Sequence, residues 1–147
     1  MGLLHSVQSG RAAAPPRLMI YGTEGIGKST LAARTPKPIF IQTEDGLGEI
    51  DCHKFPLAKS LADVQAALSE LQTEEHDYQS VVVDSLDWLE RLIWDSICQD
   101  YGAKSIEKVD GGYGKGYIYA LTPSAVHRPT ERSPSRPLHG GDSHRAR

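Results

Sequence analysis

Large apolar residues along the chain fall into short runs separated by stretches with a helical period. Leu18-Met19-Ile20-Tyr21 stops at a glycine-rich turn, and Ile39-Phe40-Ile41 and Val81-Val82-Val83 are two further runs of the same kind. Runs this short, bounded by turn residues and rich in β-branched side chains, predict buried strands. Between them the period changes. Lys28 to Arg34 reads as a helix stopped by Thr35-Pro36, because a residue before proline is steered out of the helical region. Ser60, with Asp63 three residues on, caps a helix that carries Leu61, Val64, Leu68 and Leu71 on one face. Ser85 opens another, with Leu86, Leu89, Ile93 and Ile97 as its stripe and Gly102 placed to end it. Strands alternating with helices predict an α/β fold: a parallel sheet with helices on both faces.

The two ends lack this pattern. Residues 1–16 finish in Ala-Ala-Ala-Pro-Pro and predict a flexible leader. Past Leu121 the chain carries Pro123, Pro129, Pro134 and Pro137 among Ser, Arg and His. Such a segment cannot bury enough apolar surface to offset its ordering entropy, so residues 122–147 are expected to be a disordered tail. Residues 17–121 remain as one domain, consistent with a chain of 147 residues of which 39% are apolar.

Charge narrows the class of partner. The net charge is −3, with 11 Lys/Arg against 17 Asp/Glu up to Ala120 and 5 against 2 beyond it. Nucleic acid could therefore be contacted only locally. No apolar run approaches the roughly 20 residues of a membrane helix, and the leader has no signal-peptide core, so a cytoplasmic protein is expected. Cys52 and Cys98 are too far apart in the sequence to form a CxxC or paired-ligand motif and read as reduced thiols; the six histidines show no metal-ligand spacing.

The chemistry concentrates at Gly22-Thr23-Glu24-Gly25-Ile26-Gly27-Lys28-Ser29, which fits GxxxxGK[ST]. At ordinary residue usage the pattern arises by chance in roughly one chain in two hundred of this length, before its place between a strand and a helix is required. A glycine turn without ligand is the alternative. Glycines let backbone N–H groups turn inward around phosphate oxygens, Lys28 reaches the β- and γ-phosphates, and the Ser29 hydroxyl ligates Mg²⁺. Thr30 is placed near the α-phosphate. Asp84 follows Val81-Val82-Val83 directly, where a buried parallel strand delivers it to the carboxyl edge of the sheet as a second metal-orienting group. Asp87 competes for that role but falls within the next helix. Glu44, two residues past Gln42, emerges on the same edge and could orient or deprotonate water; otherwise it is an exposed loop acid beside Asp45. Asp45-Gly46-Leu47-Gly48 also fits a guanine-nucleotide DxxG, but the chain contains no Asn and so no NKxD. ATP is favoured.

Three blocks, RLMIYGTEGIGKSTLAAR, PIFIQTEDGLGEID and SVVVDSLDWLE, give the chain a likeness to a known family. From Arg17 to Leu121 it resembles the RecA-like branch of P-loop ATPases, most closely the phage-type AAA-domain proteins related to phage single-strand annealing and recombination ATPases. The resemblance implies that Glu44 is the catalytic glutamate and Asp84 the Walker B acid. It also implies ATP and Mg²⁺ as cofactors, single-stranded DNA and further copies of the chain as partners, and a bacterial or phage-infected cytoplasm. Val109 to Tyr117 looks like the glycine–tyrosine stretch of those proteins, where tyrosines could stack on bases; the other reading is a mobile surface loop.

The departure from that family begins after this stretch. Family members continue with a helix and a buried strand that lies between the P-loop strand and the Walker B strand; here the proline- and arginine-rich segment stands in their place. The resemblance thus implies an end that is truncated or frame-shifted and a sheet incomplete at its C-terminal side. Lys28 and Asp84 would then face each other across about 10 Å, two strand spacings, or collapse together. The alternatives are a remnant that binds nucleotide without hydrolysing it and a small-molecule kinase that uses the tail arginines as a phosphate clamp.

Overall fold

The computed structural model describes residues 14–122. Its frame is a parallel sheet of three strands in the order β2-β1-β3: β1 (Pro38–Gln42), β2 (His53–Lys54) and β3 (Ser80–Asp84). Central β1 is buried from Ile39 to Gln42. Successive side chains of a strand leave on opposite faces, so Phe40 and Ile41 anchor separate layers. Phe40 packs with Leu47, Val82 and Ala32, the last from α1 (Lys28–Ala32). Ile41 packs with Val64 and Ala67 of α2 (Leu61–Thr73) and with Leu89 and Leu92 of α3 (Leu86–Tyr101). One face is thus covered by α1 and the other by α2 and α3.

The expected helix starts and stops are mostly realised. Ser60 and Asp63 form a reciprocal capping box: the Asp63 amide donates to Ser60 Oγ at 3.2 Å, and the Asp63 carboxylate accepts from the Ser60 amide at 3.0 Å. Gly102 ends α3 in the left-handed conformation. The first helix is shorter than the predicted span to Arg34. The Arg34 and Thr35 amides turn to the carbonyls three residues back, Leu31 and Ala32, so the last turn tightens and the α-helix stops at Ala32.

One predicted strand is absent. Leu18 to Tyr21 forms no strand, and Leu18 and Tyr21 are 80% and 91% exposed. The local pattern suits a strand, but a strand is completed by the neighbour that takes its hydrogen bonds. Among the described residues no strand lies on the outer edge of β3, where Val81 is 50% exposed, and Leu18–Tyr21 pairs with nothing. The reverse miss is β2, two exposed polar residues that no apolar pattern marks; it is held beside β1, and the following Phe55 amide donates to the Phe40 carbonyl at 2.9 Å.

The glycine–tyrosine stretch is folded. A 3-10 segment (Ile106–Gly111) packs on α3 through Ile106 and Val109, and α4 (Lys115–Ala120) joins the same cluster through Tyr119 and Ala120, against Ile93, Trp94 and Ile97. Asp110 organises the turn between them. Its carboxylate accepts from Tyr119 Oη at 2.7 Å and Lys115 Nζ at 3.1 Å, and the Tyr119 ring stacks on Tyr101 with centroids 5.4 Å apart. Tyr113, at φ 57°, stands 99% exposed at the tip. Of the predicted leader only residues 14–16 are described, and of the predicted tail only Thr122; the rest of both, with His5, His127, His139 and His144, lies outside the described residues. Cys52 and Cys98 are free, as expected. Among the described residues no helix is long and apolar enough to cross a membrane.

Two outcomes follow from the α4 region. A Cβ at Gly116 would stand 2.2 Å from the Ile106 carbonyl oxygen and 2.9 Å from Ile106 Cδ1, so Gly116→Ala must push α4 off the 3-10 segment. It should destabilise the fold by about 1–3 kcal/mol, read as a lower midpoint in thermal unfolding. The hydrogen bond to Asp110 pushes the Tyr119 hydroxyl from 10.0 up to about 12. The folded state therefore holds this proton more tightly than the unfolded state, and its contribution to stability is complete below pH 10 and lost as pH rises from 10 to about 12. Tyr119→Phe should flatten that part of the stability profile, measured by urea unfolding across the alkaline range.

Candidate functional site

The in-register pairing of β1 with β3 assembles the site. Ile39 lies opposite Val81, Ile41 opposite Val83 and Gln42 opposite Asp84, so both strands end level. The residues just past those ends are then neighbours. The Thr43 amide donates to the Asp84 carbonyl at 2.8 Å, and Thr43 Oγ1 donates to the Ser85 carbonyl at 2.6 Å. Thr43 is buried, so these bonds are shielded from water. The Asp84–Ser85 peptide bond is cis.

The glycine-rich loop closes onto this edge. Ser29 Oγ donates to Asp84 Oδ2 at 2.5 Å, the short distance of a hydroxyl bonded to a carboxylate. The structure thus brings the two predicted metal-binding residues, 55 positions apart in the chain, into direct contact. Lys28 Nζ donates to the Gly22 and Thr23 carbonyls, both at 2.9 Å, so the ammonium is held across the mouth of its own loop. Gly25 and Gly27 adopt φ of 77° and 93°, and a Cβ at either would meet no atom within 4 Å. The loop curves as only glycine does cheaply, and a side chain at either position would face open space. Thr23, Glu24, Ile26 and Thr30 are exposed along it.

Glu44 joins through a residue that the sequence pattern assigns to another task. Ser85 Oγ donates to Glu44 Oε2 at 3.1 Å, which places the Glu44 carboxylate next to the residue after Asp84. The structure therefore groups Ser29, Asp84, Ser85 and Glu44 in one run of contacts, with Lys28 adjacent to Ser29 in the chain. Asp87 stays in the first turn of α3, and Asp45 is exposed on the β1 side. Thr43 and Ser85 were not recognised from the sequence. Ser85 reads there as a helix cap, and only the fold shows its hydroxyl turned to Glu44.

The donor set fits a hard cation with few protein ligands. Among the described residues no three His, Cys, Asp or Glu side chains could jointly hold a metal. A hydroxyl and a single carboxylate oxygen beside an open loop match Mg²⁺, which keeps several waters and takes the rest of its shell from phosphate. An apolar groove of about 290 Å³ between α3 and α4, lined by Leu86, Ile93, Trp94 and Tyr117 among others, shares no residue with this site.

A protein-family model described as "AAA domain" matches residues 14–124, well over half of the chain. The chain is also similar to the "SPbeta prophage-derived uncharacterized protein YorG" of Bacillus subtilis (strain 168), at 27% identity over 101 residues that cover 66% of this chain and 31% of that protein. It thus spans less than a third of the length of the curated relative it matches. No solved structure matches it.

The Ser29–Asp84 contact yields a test of the cation site. Asp84→Asn keeps the shape of the side chain but removes its charge. It should raise the Mg²⁺ concentration needed for half-maximal stabilisation by ATP about tenfold or more, read by thermal unfolding at fixed nucleotide.

Proposed function

The chain belongs to the AAA-domain family, and on that premise we propose that it binds ATP with Mg²⁺ and hydrolyses it, as an ATPase of the RecA-like kind serving phage DNA recombination or single-strand annealing. The observation that carries the reading is the run of contacts from Ser29 through Asp84 and Ser85 to Glu44, set beside an open glycine loop that ends in Lys28. Lys28 exchanges its two loop carbonyls for the β- and γ-phosphate oxygens, a stronger pairing because the acceptors are charged. Backbone amides of Gly25 to Lys28 hold the remaining oxygens. Ser29 and Asp84 hold Mg²⁺, which neutralises charge on the phosphates when bound. Glu44 takes the proton of the attacking water, and positioning with charge neutralisation supplies most of the rate.

The phage setting is supported by the prophage source of the relative, and the DNA role by the resemblance of the three sequence blocks to recombination ATPases. The partners that go with it are single-stranded DNA and further copies of the chain. Tyr113 offers an exposed ring for stacking on a base, while Lys115 is engaged by Asp110 and adds little charge. A second reading, binding without turnover, is favoured by one observation: Leu18 to Tyr21, the root of the loop, is unpaired and exposed.

Calorimetry and steady-state turnover separate the two readings. The wild-type chain should bind Mg²⁺–ATP, GTP no more tightly, and Lys28→Ala should weaken binding about ten- to a hundredfold, the worth of one hydrogen bond to a charged group. Glu44→Gln should bind ATP as wild type does and lose turnover by about 10²–10⁴-fold. Equal binding by wild type and Lys28→Ala overturns the phosphate loop; binding without wild-type turnover leaves the second reading.

A further inference from the structure

Two serines begin the two long helices, and they behave differently. Ser60 caps α2, accepting from the Asp63 amide. Ser85 holds the same position at the start of α3, with the same extended backbone (φ −113°, ψ 164°), yet its side chain makes no capping bond. Its hydroxyl turns away from the helix and donates to Glu44 Oε2 at 3.1 Å. The stabilisation that a capping serine ordinarily contributes is forgone at Ser85, as it is at Ser105 before the 3-10 segment, but Ser85 alone of the two turns its hydroxyl to a carboxylate.

The main chain of Ser85 is held from both sides. Its carbonyl accepts from Thr43 Oγ1 and from the Leu89 amide, and the carbonyl before it, on Asp84, accepts from the Thr43 amide. The hydroxyl therefore starts from a point fixed to the sheet. Glu44, by contrast, is exposed on a loop with rotatable side-chain bonds, and the Ser85 contact is the polar anchor of its carboxylate. One donated hydrogen bond occupies one lone pair of Oε2 and leaves Oε1 for a water molecule.

We propose that Ser85 is a positioning residue that holds the Glu44 carboxylate in line for the attacking water, so that the dipeptide Asp84-Ser85 sets both the metal ligand and the base. The proposal rests on the hydrolytic reading of the site. Misplacing a reacting group by about 1 Å can cost on the order of a hundredfold in rate, which sets the scale of the effect.

The test is steady-state ATP turnover with three substitutions, with binding followed by calorimetry. Ser85→Ala should lower kcat about ten- to a hundredfold while KM and the dissociation constant for Mg²⁺–ATP stay within about twofold. Ser85→Thr, which keeps the hydroxyl, should recover most of the rate. Ser85→Gly also lacks the hydroxyl but is well tolerated at a helix N-cap, so it should melt close to wild type and still turn over slowly; this variant decides the matter if Ser85→Ala proves unstable. In the Glu44→Gln background Ser85→Ala should add no further loss, because the group it positions is gone. Wild-type turnover by Ser85→Ala or Ser85→Gly, or an undiminished loss in the Glu44→Gln background, overturns the positioning role alone. Absence of turnover in the wild-type chain overturns the hydrolytic reading and the positioning role with it.

Discussion

The parallel pairing of β1 with β3 in a single register is the constraint on which the site depends. Opposing β-branched and aromatic pairs, Ile39 with Val81, Phe40 with Val82 and Ile41 with Val83, hold the strands level, with β1 buried and β3 only partly so. A slip of one residue would move Asp84 by about 3.3 Å and turn its side chain to the other face. The Ser29 contact, both Thr43 bonds and the Ser85–Glu44 bond would all be lost together. Apolar packing two to four residues away thus sets the geometry of polar groups that carry no packing energy of their own.

Burial declines outward from that pairing. Thr43 is buried and bonds only main-chain groups of β3 and its extension, so it acts as a brace. Ser85 is partly buried and links the brace to an exposed carboxylate. The glycine loop lies further out, with Lys28 satisfied by its own carbonyls. Lys28 thus holds the two ends of its own loop together through neutral acceptors, which form weaker bonds to an ammonium than charged ones do.

Away from the site, the α3–α4 region forms its own small core around Ile97, Ile106 and Val109, with Gly116 giving α4 its close approach to Ile106. The opposite end of the sheet is less finished. The outer edge of β3 and the apolar stretch Leu18 to Tyr21 are both without a strand partner among the described residues. The backbone groups along these two stretches are therefore left without the ladder partners that a sheet interior supplies.

The sequence by itself determined several features written in one local stretch. Ile39 to Ile41 and Val81 to Val83 are strands because nothing polar interrupts them; Ser60 with Asp63 starts a helix and Gly102 ends one because caps act within four residues; the glycine loop is legible because its spacing is its geometry. Even the level ends of β1 and β3, which deliver Glu44 and Asp84 to one edge, were implied by where two apolar runs stop. Tertiary structure alone decided whatever needed a partner from elsewhere in the chain. Leu18 to Tyr21 has the pattern of a strand and is not one, since a strand exists only beside another; polar β2 is one, since β1 lies beside it. Whether the Ser85 side chain faces back to accept a capping bond from its helix or outward to donate to Glu44 is likewise a matter of tertiary position, settled by a carboxylate 41 residues away whose charge strengthens the bond.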